Sequence, residues 1–229
     1  MSNIWNELIK IQSFLEEKFN SSGIPVPDHG FDRITKPGWT NKGWTSDQYR
    51  RAHMYVVDAR TTKGLWMMHC CIFPHTHNPA PIFGLDVIAG KNKITGCFHD
   101  FSPAGDDNHP LIEWFAHEVS ELSWSKQRKL PEWAERIFTT SMIAASNVQK
   151  QEEVIQIVDI VSKTIEQYLN TVADTNNTAV DTTFNQNYYA QNQKQNPHNV
   201  NVMLNLGMDI DNIDIFVNEF MFPEIPLIN

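Results

Sequence analysis

Four apolar stretches follow one another between Tyr49 and Phe101, linked by turn signals, and they dictate the middle of the fold. "YRRAHMYVVDA" and "GLWMMHCCIF" flank "RTTKG", while "PIFGLDVIAG" and "KITGCFHDF" are separated by "GKN". Each pair reads as a hairpin, and the four together read as an antiparallel meander over 49–101. The second and third stretches are apolar on both alternations, so both faces of the sheet are expected to be covered. Helices must supply that cover. Residues 3–19 place Ile4, Leu8, Ile11 and Leu15 at helical spacing, and "SSGIPVP" ends the pattern. Residues 28–48, rich in Gly, Pro, Asp, Trp and Thr, read as short strands with turns. Helices are predicted over 111–122, over 130–143 with Pro131 in the first turn, and over 149–171. "TVADTNNTAVDTT" breaks that last pattern. Residues 185–201 are dominated by Asn and Gln, and are either flexible or the lining of a polar pocket. A closing helix, "DIDNIDIFVNEFMF", has Asp209 as its N-cap. Strands in the middle with helices on both sides predict a central antiparallel sheet covered on each face, an α/β three-layer α-β-α sandwich.

Charge and cysteine usage narrow the function. The chain of 229 residues has a formal net charge of −9, with 27 acids against 18 bases. That argues against nucleic acid, which needs a basic footprint. An acidic protein partner would need a local basic patch. The densest basic run is Lys42, Arg50, Arg51, Arg60 and Lys63 with Lys91 and Lys93, and an ordinary solvated surface is the competing reading. Cys70, Cys71 and Cys97 form neither a disulfide framework nor a structural zinc module. No signal peptide and no membrane-spanning run is visible, so a cytoplasmic setting and no membrane partner are expected.

The stretch "MMHCCIFPHTHNPAPIFGLDVIAG" holds the chemistry. If its hairpin is symmetric about the proline-rich turn at 74–81, positions summing to 155 face each other, and His69 lies opposite Asp86. Cross-strand Cβ atoms in that relation are ~4.5–5.5 Å apart, and an imidazole and a carboxylate there share a proton. A slip of one residue would put the two on opposite faces. A structural hydrogen-bonded pair and a metal site built from His69, His75 and His77 are the alternatives. The sequence carries no G-x-S-x-G elbow, no G-x-G-x-x-G and no P-loop, so no nucleotide or flavin site is advertised.

"LWMMHCCIFP", "PIFGLDVIAG", "FHDFSPA", "LPEWAERIF" and "ASNV", in this order, resemble the ferredoxin-dependent bilin reductases. The resemblance runs from about Tyr49 to Val148 and less clearly to the C-terminus. It implies one domain over 1–229, with an open-chain tetrapyrrole held between sheet and helices. It also implies no metal and no bound redox cofactor, electrons arriving singly from reduced ferredoxin, and a monomer. By the same resemblance Asp86 and His69 protonate biliverdin IXα, and Asn196 of "QNPHN" is a third catalytic residue. Ser102 is a substrate-binding position, a propionate or backbone anchor. Tyr55 stands where the phycocyanobilin-forming members carry a glutamate, and Asp58 is the nearest acid. The arginine expected before "SNV" is missing, because Ala144 is there. Members of a phage-associated branch that change the glutamate make phycoerythrobilin, and this sequence is similar to them. The implied reaction is a four-electron reduction of biliverdin IXα to phycoerythrobilin. Phycocyanobilin as product, or a bilin carrier without turnover, are the alternatives.

Overall fold

The computed structural model describes residues 4–27, 38–173 and 180–226. Residues 28–37 of the expected 28–48 region and residues 174–179 of the expected break lie outside them. Seven strands form one antiparallel sheet whose spatial order is its chain order: β1 (Ile24–Val26), β2 (Trp39–Thr45), β3 (Tyr49–Ala59), β4 (Leu65–Pro74), β5 (Ile82–Gly90), β6 (Ile94–Ser102) and β7 (Ile143–Ala145). This meander needs no crossover. β3 and β4 are joined by a single helical turn, α2 (Arg60–Lys63), which Gly64 ends in the left-handed conformation at φ 62°.

Strand parity sorts the side chains into two cores. Even-numbered positions of β3 and β4, and odd-numbered ones of β5 and β6, meet α1 (Ile4–Ser22), α3 (Pro110–Val119) and α5 (Gln151–Ala173). Leu8, Leu15 and Phe19 of α1 and Ile157, Val161 and Ile165 of α5 are fully buried there, each contributing on the order of 1.5–3 kcal/mol. The opposite parity meets α6 (Thr183–Gln193), α7 (Pro197–Leu206), α8 (Ile210–Ile215) and the π-helical turn Phe216–Met221. The three layers agree with the expected architecture.

Three expectations are corrected. β4 is buried along nearly its whole length, but β5 alternates buried and half-buried residues, because Asp86 and Ile88 are left uncovered by helix. The helix expected over 130–143 is one turn, α4 (Glu132–Glu135), capped by Pro131. Its continuation turns back toward β7, and Thr139 there is bonded to Asp100 on β6 rather than turned along a helix face. The basic run does not form one free patch: Lys42, Lys63, Lys91 and Lys93 are exposed, but Arg50, Arg51 and Arg60 are half-buried. Lys42 pairs with Glu16, Arg60 with Asp58, and Lys63 with the Asn205 carbonyl. Arg50 is largely buried, donates from Nε to Gln186 at 2.7 Å, and lies 4.7 Å over the Phe73 ring.

The "ASNV" element also has a local explanation. Asn147 adopts φ 54°, a left-handed conformation that asparagine tolerates better than most residues. Its side-chain oxygen accepts from Lys93 at 3.2 Å, which ties the β7–α5 turn to the β5–β6 turn.

His99 pins α5 to the sheet. A carbonyl can only accept, so Nδ1–H donates to Gly84 O at 2.7 Å, and Nε2 accepts from the Thr164 hydroxyl at 2.8 Å. Burial pushes this imidazole down to about 4. A histidine held below its unfolded value contributes stability at neutral pH that is lost as pH falls from about 6.5 toward 4, because only the unfolded chain takes up the proton. His99→Asn should therefore flatten the loss of unfolding free energy between pH 6.5 and 4 by up to ~3 kcal/mol. Urea titrations across that range check it; an unchanged pH slope would contradict it.

Candidate active site

Facing α6 and α7, the sheet opens onto a cavity of about 510 Å³, within the range typical of small-molecule sites. Its floor is the uncovered face of the sheet: Tyr55, Met67, Asp86, Ile88 and Phe98. Its walls come from the 128–142 segment, with Arg128, Trp133, Phe138 and Met142, and from α6–α7, with Gln193, Asn196, His198 and Met203. Asp86 is the only carboxylate among the described lining residues.

The register that brings His69 opposite Asp86 is the observed one. His69 Nδ1 and Asp86 Oδ1 are 2.9 Å apart. The two differ in access: the Asp86 side chain is 41% exposed, toward the cavity, whereas that of His69 is 3% exposed. The carboxylate acceptor fixes the proton on Nδ1, which leaves Nε2 of His69 with a free lone pair. That Nε2 is buried with no hydrogen-bond partner. The pair is thus a proton-holding unit with one face in the cavity. Asp86 is the member of the pair that a ligand in the cavity can reach, and His69 stands behind it.

Aromatic rings seal the buried side of His69. Tyr55 stacks on it at 5.3 Å with ring planes 21° apart, and Phe222 meets it edge-on at 5.5 Å. Phe216, at the start of the π-helical turn, packs edge-on against Tyr55 at 5.2 Å. A second imidazole, His53, lies 5.9 Å from His69, with Nε2 bonded to Asn41 Oδ1 and Nδ1 buried without a partner. Burial, then the neighbouring His69 and Arg51, hold His53 well below the ordinary histidine value, so it is neutral. Burial and the nearby Asp86 raise the Tyr55 phenol, which stays protonated.

Other sequence-predicted residues fall elsewhere. Asn196 does line the cavity, and its side chain also caps α7 by accepting from the His198 amide at 3.0 Å. Ser102 is fully buried and donates to Asp100 at 2.9 Å, so its hydroxyl is committed to the interior and does not line the cavity. Asp58 is turned away from the cavity and held by Arg60 at 2.7 and 2.8 Å. His75 and His77 stack on each other at 5.3 Å in the β4–β5 turn, and among the described residues no cluster of three His, Cys, Asp or Glu is arranged to hold a metal ion.

Sequence reasoning missed the cations. Arg128 and Lys129 line the cavity, just ahead of "LPEW". The Arg128 amide donates to the Ala144 carbonyl at 2.7 Å, which places this residue's backbone beside the position where the expected arginine is absent. Its guanidinium lies 5.6 Å over the Phe98 ring on the cavity floor. The cavity therefore offers an acid at one place, cations at another, and apolar surface between. It suits a large, flat, mostly apolar molecule carrying carboxylates.

A family model described as ferredoxin-dependent bilin reductase matches residues 11–223. The phycocyanobilin:ferredoxin oxidoreductase of Trichodesmium erythraeum is 29% identical over 124 residues, 52% of this chain and 49% of that protein. The chain thus spans about half the length of that relative. The enzyme of the same name from Prochlorococcus marinus is 28% identical over 186 residues, 77% of this chain and 67% of that one. A solved structure named PcyX is 29% identical, with a TM-score of 0.70 over 96% of this chain and 99% of the other. Tomato phytochromobilin synthase, crystallised with biliverdin, is 16% identical but shares the fold at a TM-score of 0.70, over 93% of this chain and 81% of that one. Among the described residues no helix is long and apolar enough to cross a membrane.

The geometry makes a stability prediction. Asp86→Ala leaves both nitrogens of a buried His69 without partners and should cost ~1–3 kcal/mol, whereas Asp86→Asn keeps an acceptor for Nδ1–H and should cost less than half of that. Urea unfolding at pH 7.5 checks the ranking, and equal costs would show that the pair carries no energetic coupling.

Proposed function

The chain belongs to the ferredoxin-dependent bilin reductase family, a family of oxidoreductases, and from that premise we propose that it reduces biliverdin IXα to phycoerythrobilin. The balance is four electrons from reduced ferredoxin and four protons, at the 15,16 bridge and the A-ring diene system. No metal or organic redox cofactor of the protein's own takes part. The observation that carries the reading is Asp86: a carboxylate facing an apolar cavity, hydrogen-bonded at its back to a buried histidine.

Each electron added to a conjugated tetrapyrrole raises its basicity, so reduction proceeds only as fast as protons arrive, and the site of protonation decides which bond is reduced. Asp86 is the group positioned to hand over a proton. His69, bonded behind it, stabilises the carboxylate left behind and passes on the next proton. Arg128 and Lys129 supply charge for the two propionates of biliverdin, while Met67, Ile88, Phe98 and Trp133 line the space for its rings.

Tyr55 supports the choice of product. A phenol whose pKa is raised by burial and by Asp86 can donate a hydrogen bond but is a poor proton donor. Asp58, the other acid considered, is turned away and paired with Arg60. The D-ring vinyl group therefore has no acid assigned to it and stays intact.

Anaerobic incubation of the protein with biliverdin IXα and reduced ferredoxin, followed by chromatography, should yield phycoerythrobilin, and Asp86→Asn should lower the rate by at least ~100-fold while biliverdin still binds. Stoichiometric binding without conversion by the wild-type protein would sink the enzyme reading and leave a carrier. Tyr55→Glu should divert part of the product to phycocyanobilin; an unchanged product would show that position 55 does not set the regiochemistry.

A further inference from the structure

We infer that Asp100 is a positioning residue: by holding Thr139 it fixes the Phe138–Met142 wall of the cavity, and with it the seat of the bilin. The inference rests on the bilin-reductase reading for the ligand and on separate geometry for the device. Asp100 lies on β6 on the cavity-facing side of the sheet and is 1% exposed. One carboxylate oxygen, Oδ2, accepts from the Thr139 amide at 3.0 Å and from the Ser102 hydroxyl at 2.9 Å. The other, Oδ1, accepts from the Thr139 hydroxyl.

Thr139 sits in a stretch without regular structure between α4 and β7, flanked by two residues that line the cavity, Phe138 and Met142. The bonds from Asp100 to its amide and hydroxyl tie this stretch directly to the sheet. Phe138 in turn meets Trp133 edge-on at 6.3 Å and Tyr189 edge-on at 6.2 Å. The Tyr189 hydroxyl accepts from Gln193, another lining residue, at 2.8 Å. Two of these rings, Trp133 and Phe138, line the cavity, and the residue that follows Phe138 is the one Asp100 holds.

Asp100 has no cation beside it among the described residues. Ser102 and Thr139 bond it, glycine 84 faces it across β5, and Tyr189 of α6 is the titratable group that senses its charge. Burial accordingly pushes the carboxyl up to about 6. At neutral pH the fold bears the desolvation cost of a charged group whose bonds an amide could also make. In Asp100→Asn the amide oxygen can accept from Thr139 N and Ser102 Oγ, while the amide nitrogen donates to Thr139 Oγ1. Asp100→Ala leaves all three donors without an acceptor.

That contrast provides the test. Hydrogen exchange at the Thr139 amide is measured in the unliganded wild type, Asp100→Asn and Asp100→Ala, alongside biliverdin affinity, the absorption spectrum of the bound bilin and the product. We expect slow exchange and wild-type affinity in Asp100→Asn. In Asp100→Ala we expect exchange about tenfold faster or more, affinity weakened about tenfold, and a shifted bilin spectrum. Amides of the β4–β5 pair should keep their protection. Should Asp100→Ala not fold, Thr139→Val drops only the hydroxyl bond and should show the same changes at smaller amplitude. Unchanged exchange at Thr139 in the folded variants overturns the hold itself. Faster exchange with unchanged affinity, spectrum and product overturns the positioning role. A wild type that takes up no biliverdin overturns the functional reading and this ligand assignment with it, while the exchange comparison still decides whether Asp100 holds the wall.

Discussion

One hydrogen bond between neighbouring strands, from His69 Nδ1 to Asp86 Oδ1, organises the functional face. It exists because β4 and β5 pair in a register that places the two residues opposite each other on the same side of the sheet. A shift of one residue would send one of them into the opposite core. The register is protected by burial. Met68, Cys70 and Ile72 on β4, with Leu85 and Val87 on β5, are locked under α1 and α5, and none could be turned to the cavity without exposing apolar surface. The His69–Asp86 pair is held by the hydrophobic effect acting on its sequence neighbours.

The two faces of the sheet divide the work. Under α1, α3 and α5 the contact is continuous, and its polar groups, such as His99 with Thr164, are bonded to hold the layers together. Under α6 to α8 the cover is incomplete, and the gap is the cavity. Its base combines neutral rings packed around His69 with an acid open to the ligand, an arrangement that favours proton transfer over charge storage. Asn- and Gln-rich sequence at 185–201 fits this setting, because Gln186 and Asn192 use their amides inside α6 and its borders, while Gln193, Asn196 and Asn199 border the cavity.

Much of this was legible in the sequence, because period-two and period-3.6 patterns report burial directly. The meander and the main covering helices follow from such patterns, whereas the His69–Asp86 pairing followed only from assuming a hairpin symmetric about its proline-rich turn, and that register is the observed one. What depended on distant contacts was not legible. β5 was read as buried on both faces because apolar residues line a cavity as readily as a core. The 130–143 helix was over-extended because the Asp100–Thr139 bonds that redirect the chain join residues 39 apart. Ser102 looked like an anchor from its place beside "DF", and the neighbouring Asp100 takes its hydroxyl. Arg128 was missed because only an isolated backbone bridge, between residues far apart in the chain, brings it next to Ala144.

The proposed role of Asp86, backed by His69, is to deliver protons to a bilin as electrons arrive. The most direct measurement is stepwise addition of reduced ferredoxin to the Asp86→Asn protein holding biliverdin, followed by electron paramagnetic resonance and absorbance. The account predicts an organic radical that builds up after the first electron and persists, because the next proton does not come. Smooth conversion to product at the wild-type rate, with no accumulated radical, would contradict it.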